Sequence, residues 1–145
     1  MKRKNKISIK IILAVIIVLL GVIGLYFYQM NNFTGGIISA HFEVYPAGTE
    51  IGPNTVGVMT NSFGFESIVG VSGESDVSKE VGLTFKIFDS DGKEVESKWR
   101  GDKIKVSAGS FAFCCMNVPQ TSGEYTLKLF LNNRESKRIT FKVFG

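Results

Sequence analysis

Tyr125-Thr-Leu-Lys-Leu-Phe-Leu131, then Asn132-Asn133, then Arg134-Glu-Ser-Lys-Arg-Ile-Thr-Phe-Lys-Val143 is the stretch that decides the fold of this chain. Tyr125, Leu127, Leu129 and Leu131 alternate with Glu124, Thr126 and Lys128, and Ile139, Phe141 and Val143 alternate with Thr140 and Lys142. A period of two is how a half-buried antiparallel strand reads, because successive side chains leave opposite faces of the sheet. Asn132-Asn133 between the two runs suits the positive backbone angles of a tight hairpin.

The same period continues upstream. Val81, Leu83, Phe85 and Ile87 alternate with Gly82, Thr84 and Lys86, and Ile38, Ala40, Phe42 and Val44 alternate with Ser39, His41 and Glu43, which predicts that the first residue of each alternation faces a core. Further strands are expected at Ile68 to Val71, Val95 to Trp99 and Phe111 to Val118, with a weaker one at Val56 to Met59. Asp89-Ser90-Asp91-Gly92 reads as a second hairpin turn. Seven or eight short strands within residues 37–145, with no convincing helical period beyond Tyr28, predict an all-β, two-sheet antiparallel β-sandwich.

Before it lies a segment of another kind. Ile11 to Tyr28 is 18 uncharged residues, 13 of them Leu, Ile, Val or Phe. At roughly −0.3 to −0.6 kcal/mol each, their transfer into lipid is favourable by about 4 to 8 kcal/mol. As a helix the segment is about 27 Å long, close to the hydrocarbon thickness of a bilayer. Lys2, Arg3, Lys4, Lys6 and Lys10 all precede it, so the positive-inside rule leaves the N-terminus in the cytoplasm, and Tyr26 and Tyr28 fall where an outer aromatic belt belongs. The expected organisation is a cytoplasmic basic segment at 1–10, a transmembrane helix at 11–28, a tether at 29–36 and an extracytoplasmic domain at 37–145.

A cleaved signal peptide has a shorter apolar core and a small-x-small site, whereas this core runs into Leu25-Tyr-Phe-Tyr-Gln-Met30. No cysteine follows to carry a lipid, and the early acidic residue of a pilin helix is missing. Ala14, Gly21 and Gly24 are small residues of the sort that lets helices approach, at a frequency that chance also gives.

The formal charge of +4 belongs to the topology signal. Without the five leading cations, 12 Lys and Arg face 13 Asp and Glu, so a nucleic-acid partner loses its electrostatic support.

The run Gly82-Leu-Thr-Phe-Lys-Ile-Phe-Asp-Ser-Asp-Gly-Lys-Glu-Val95 and the run Ser122-Gly-Glu-Tyr-Thr-Leu-Lys-Leu-Phe-Leu-Asn-Asn133 resemble the middle hairpin and last two strands of immunoglobulin-like domains on prokaryotic surface proteins. The resemblance covers the second half of the chain. It implies an immunoglobulin-like β-sandwich carried on a membrane anchor, with Tyr125 packed as a tyrosine corner. Leu127 stands where the second cysteine of antibody domains would follow that tyrosine, so the inter-sheet disulfide is not expected.

Few residues carry chemistry. His41 is the single histidine and reads as a structural or solvated residue. Asp89-x-Asp91-Gly92 opens like a calcium loop, but position 12 of that loop is Arg100 where a bidentate Glu is needed. Cys114 and Cys115 are adjacent and in a regular strand point to opposite faces, which favours two free thiols; a vicinal disulfide with a redox role is the alternative. Asn32-Phe33-Thr34 is a glycosylation sequon on the external side. Phe63 and Phe65 are the one aromatic pair with a place in a long exposed loop, where they would contact a partner, although burial in the core is the favoured outcome.

The sequence therefore predicts a non-enzymatic module, with no catalytic, metal or cofactor residues, held in the bilayer by its helix and meeting a protein partner at the outer membrane face in a surface or envelope complex. The alternative is a small-molecule or glycan binding domain using a sheet face or the Gly52 to Gly64 loops. An enzyme ranks third.

Overall fold

The computed structural model describes residues 8–96 and 104–145, which fall into two compact units, Met1–Phe33 and Thr34–Gly145. The strand expected from Val95 to Trp99 therefore lies, beyond Glu96, outside the described residues, as does most of the basic N-terminal segment.

In the first unit, helix α1 (Ile9–Asn31) is longer than the predicted span at both ends. Ile9 to Gln29 has a mean hydropathy of 2.9 and buries nothing within the chain, so this helix is long and apolar enough to cross a membrane. Its large apolar side chains are exposed around the whole circumference, which removes the amphipathic pattern of a helix that docks on a soluble core.

The second unit begins earlier than residue 37. Thr34 and Ser78 are tied twice, by the Ser78 amide donating to the Thr34 carbonyl and the Thr34 amide donating to the Ser78 side-chain Oγ, both at 2.9 Å, and the Gly36 amide donates to Asp76 Oδ1 at 2.8 Å. Of the stretch 29–36 expected as a tether, Gln29 to Asn31 continue the helix and Thr34 to Gly36 are hydrogen-bonded into the β unit, which corrects its bounds.

Among the described residues ten strands follow: β1 (Ile37–Tyr45), β2 (Val58–Met59), β3 (Ser62–Gly64), β4 (Ile68–Ser75), β5 (Val81–Asp89), β6 (Glu94–Val95), β7 (Ile104–Val106), β8 (Gly109–Met116), β9 (Gly123–Leu131) and β10 (Arg134–Phe144). One sheet runs β2-β1-β4-β8, the other β3-β10-β9-β5-β6, with β7 also paired to β5. With β1, β4 and β8 as strands A, B and E, and β5, β9 and β10 as C, F and G, this is immunoglobulin-like connectivity. Every pairing is antiparallel except that of β3, which crosses to the second sheet and runs parallel to β10.

The two inner faces meet in an aromatic cluster. Phe42 of β1 contacts Phe63 of β3 and Phe141 of β10 edge-on, at centroid distances of 5.4 and 5.2 Å, while Phe63 and Phe141 stack at 5.2 Å. Leu127, Leu129, Leu131, Ile87, Val69 and Val71 complete the buried layer. The alternation in β5, β9 and the end of β10 is borne out by these residues, but the start of β1 is not as expected. A register shift between Ile37 and Ser39 turns Ile37 inward and leaves Ile38 56% exposed, because a bulge reverses which residues face the core.

The turns follow their sequences. Asn132 and Asn133 have φ of 45° and 65° and close the β9–β10 hairpin. At the β5–β6 hairpin Gly92 has φ of 78°, and Asp89 Oδ1 accepts the amides of Asp91 and Lys93 at 3.0 and 2.9 Å. That carboxylate is engaged in shaping the turn, which is the use an Asx turn makes of Asp.

Candidate functional site

A cleft of about 760 Å³ opens where the start of β4, the end of β6 and the end of β8 with its following loop converge. Phe65, Ile68, Val95, Met116, Val118 and Pro119 supply its apolar lining, together with Cys114 and Cys115. Ser67, Glu96, Asn117 and Gln120 supply its polar groups. Asn117 and Gln120 are exposed, whereas Phe65 and both cysteines are half-buried, so the apolar part forms the wall and the amides stand at the rim.

The two cysteines are joined to each other, and neither is a free thiol, which corrects the expectation of two reduced residues. The expectation rested on a regular strand, and β8 is irregular at this point. Val69 pairs with Met116 and Val71 with Phe113, so Gly70 alone opposes Cys114 and Cys115. Two residues facing one is a β-bulge, in which side chains no longer alternate between faces. Gly70 is buried beside the pair, and a Cβ there would stand 3.2 Å from the Phe113 carbonyl oxygen and 3.8 Å from Cys114 Cβ. The Cys114–Cys115 peptide bond is cis.

The aromatic pair nominated by the sequence separates. Phe63, 2% exposed, belongs to the core cluster and is withdrawn as a partner contact, because β3 pairs with β10 and points it inward. Phe65, two residues on, lies beyond the end of β3 and lines the cleft. Phe65, Cys114 and Cys115 thus come together from separate parts of the chain. The rim residues Asn117 and Gln120 escaped sequence reasoning, since polar residues after a strand carry no periodic signal. Asn32 is exposed at the C-cap of α1.

On the outer face of the first sheet, His41, Glu43 and Tyr45 form a row along β1. The Tyr45 hydroxyl donates to Glu43 Oε2 at 2.8 Å, and His41 Nε2 lies 3.7 Å from Glu43 Oε1. The Tyr45 hydroxyl holds the Glu43 carboxyl below its usual value, with Ser72 and His41 adding to the effect and burial opposing it. The same hydrogen bond raises the Tyr45 phenol. Tyr45 is buried although it shares the outer face, because the loop carrying Gly57 crosses over it; a Cβ at Gly57 would lie 2.9 Å from the Tyr45 ring. The bonds of this row stay on the sheet, and the loop packs over it at Gly57.

That loop and β2 present a second surface. Ile51, Val56, Val58 and Met59 are exposed by 41, 90, 66 and 70%, within a run from residue 51 to 65 that carries no charge. Val58 pairs with Val44 and Met59 with Glu43, so these two leave opposite faces of β2 and both remain exposed.

No family model matches the sequence, and no curated protein matches it. Among solved structures the chain is similar to the crystal structure of an immunoglobulin-like protein from Pseudomonas aeruginosa, at 15% identity and a TM-score of 0.46, over 77% of this chain and 97% of that one.

Proposed function

We propose that this chain is a single-pass membrane protein that keeps its N-terminus in the cytoplasm and uses its immunoglobulin-like sandwich outside the membrane as a non-enzymatic module, binding a protein partner in a surface or envelope complex. The observation that carries the membrane reading is α1, whose large apolar side chains from Ile9 to Tyr28 lie on every side of the helix and are exposed. Such a helix in water would leave its entire lateral surface hydrated, and a bilayer removes that cost without any protein partner. The cations before it orient it.

The protein-partner reading is supported by the exposed apolar side chains of Ile51, Val56, Val58 and Met59, in a loop and edge strand that carry no charge. Interface cores are depleted in charge and use Met and large apolar side chains. A photo-crosslinking residue placed at position 56 or 59 of the full chain, in its native membrane, tests this. The reading expects a discrete protein adduct from those positions and none from position 93, on the β5–β6 turn. Adducts with lipid alone, or equal yields from all three positions, refute it.

A further inference from the structure

We propose that the cleft at the Cys114–Cys115 bulge binds an uncharged, hydroxyl-rich ligand, a neutral saccharide. The proposal stands on the cleft alone and needs neither the membrane orientation nor the protein partner.

The size is right for one or two sugar rings, since small-ligand sites run from roughly 300 to 1,000 Å³ and place a few polar groups around an apolar wall. The wall has two parts of different chemistry. Phe65 offers an aromatic ring, and the Cys114–Cys115 disulfide offers two polarizable sulfur atoms in a short covalent ring with few rotatable bonds. Such a wall meets the C–H face of a sugar with little loss of side-chain entropy, because the disulfide is immobile before the ligand arrives.

The polar groups select the class. Asn117 and Gln120 each carry a donor and an acceptor, Ser67 carries a hydroxyl, and Glu96 carries a carboxylate that accepts. Gln120 donates one Nε2 hydrogen bond to the Val118 carbonyl at 2.9 Å, which fixes its amide at the rim and leaves its Oε1 directed elsewhere. Neutral amides that donate and accept at once match vicinal hydroxyls, which do the same. Among the described residues no Lys, Arg or His lines the cleft, so none of them offers an anionic ligand a counter-charge. A single carboxylate is likewise a poor cage for a cation. The ligand left by these exclusions is neutral and polyhydroxylated, with one apolar face.

The test uses the full chain in lipid nanodiscs and saturation-transfer NMR with cellohexaose and tetra-N-acetylchitotetraose as neutral probes and glucose 6-phosphate as the charged control, each up to about 10 mM, the range where weak single-site binding of a few kcal/mol is still visible. At least one neutral probe is expected to receive saturation, most strongly at ring protons of one face. Phe65→Ala and the rim variant Asn117→Ala with Gln120→Ala are each expected to weaken its binding by about tenfold, as for the loss of one good contact, while Val56→Ser leaves it unchanged. The rim residues are exposed, so that variant keeps the fold even if Phe65→Ala does not. Saturation of neither neutral probe, tighter binding of the sugar phosphate, or binding that the rim variant leaves intact overturns the proposal.

Discussion

The Tyr125 hydroxyl donates a 2.8 Å hydrogen bond to the carbonyl of Thr121, four residues upstream, closing the corner that leads from β8 into β9. This is the tyrosine corner that the Gly-Glu-Tyr element implied, and its ring also stacks on Phe141 at 5.6 Å. The bond is local, but it fixes where β9 begins and so which of its residues face Phe42 across the sandwich. Tyr125→Phe keeps the ring and removes the bond. It is expected to cost about 1 kcal/mol, read as a lower urea midpoint for the full chain in detergent micelles, with an unchanged slope.

The aromatic cluster sets the larger scale. Phe141 is 1% exposed and touches Phe42, Phe63 and Tyr125. Phe141→Ala is expected to lose about 3 to 5 kcal/mol, a large share of the stability of a domain this size. The same urea titration checks it, and a loss under about 1 kcal/mol would mean that the two sheets do not meet there.

Gly73 packs against the bulge that turns Ile38 outward. A Cβ on Gly73 would collide with the backbone carbonyl of Ser39 and approach the Phe111 ring at 2.8 Å. Since the first obstacle is backbone, Gly73→Ala must move β1 and is expected to destabilise by about 1 to 3 kcal/mol. Gly92→Ala meets no atom and pays only for its positive φ, about 1 kcal/mol.

The Glu43 and Tyr45 pair gives a pH signature. The folded state holds the Glu43 carboxyl low, so its contribution is present above the ordinary carboxylate value of about 4.3 and is lost as pH falls through the folded value. The Tyr45 phenol is raised, so its contribution is present below about 10 and is lost as pH rises through its folded value. Tyr45→Phe removes the main cause of the Glu43 shift and deletes the phenol that carries the other. Urea midpoints of this variant are expected to fall less steeply than those of the parent between about pH 5 and pH 3.

Much of the sandwich was legible because β5, β9 and β10 each bury one face and expose the other, which writes a period of two into Leu83, Ile87, Leu127, Leu129, Ile139 and Phe141. Short elements carry no period. β3 and β7 have three residues each, and Phe63 is a core residue in a segment too brief to alternate. Two bulges account for the errors of facing. One at Ile37–Ser39 reversed the start of β1, and one opposite Gly70 brought Cys114 and Cys115 to each other. A bulge depends on the partner strand as much as on its own sequence, and so does the cleft, whose Phe65 lies 49 positions from Cys114. Tyr45 was hidden by a loop passing over the sheet, which no local pattern records.

Protease added to the outside of spheroplasts, read with one epitope tag ahead of Met1 and another after Gly145, tests the central claim most directly. An exported sandwich on an uncleaved helix predicts that the C-terminal tag disappears while the N-terminal tag survives on a short membrane-bound fragment. A C-terminal tag that stays protected, or a soluble chain that has shed its N-terminal tag before any protease is added, contradicts it.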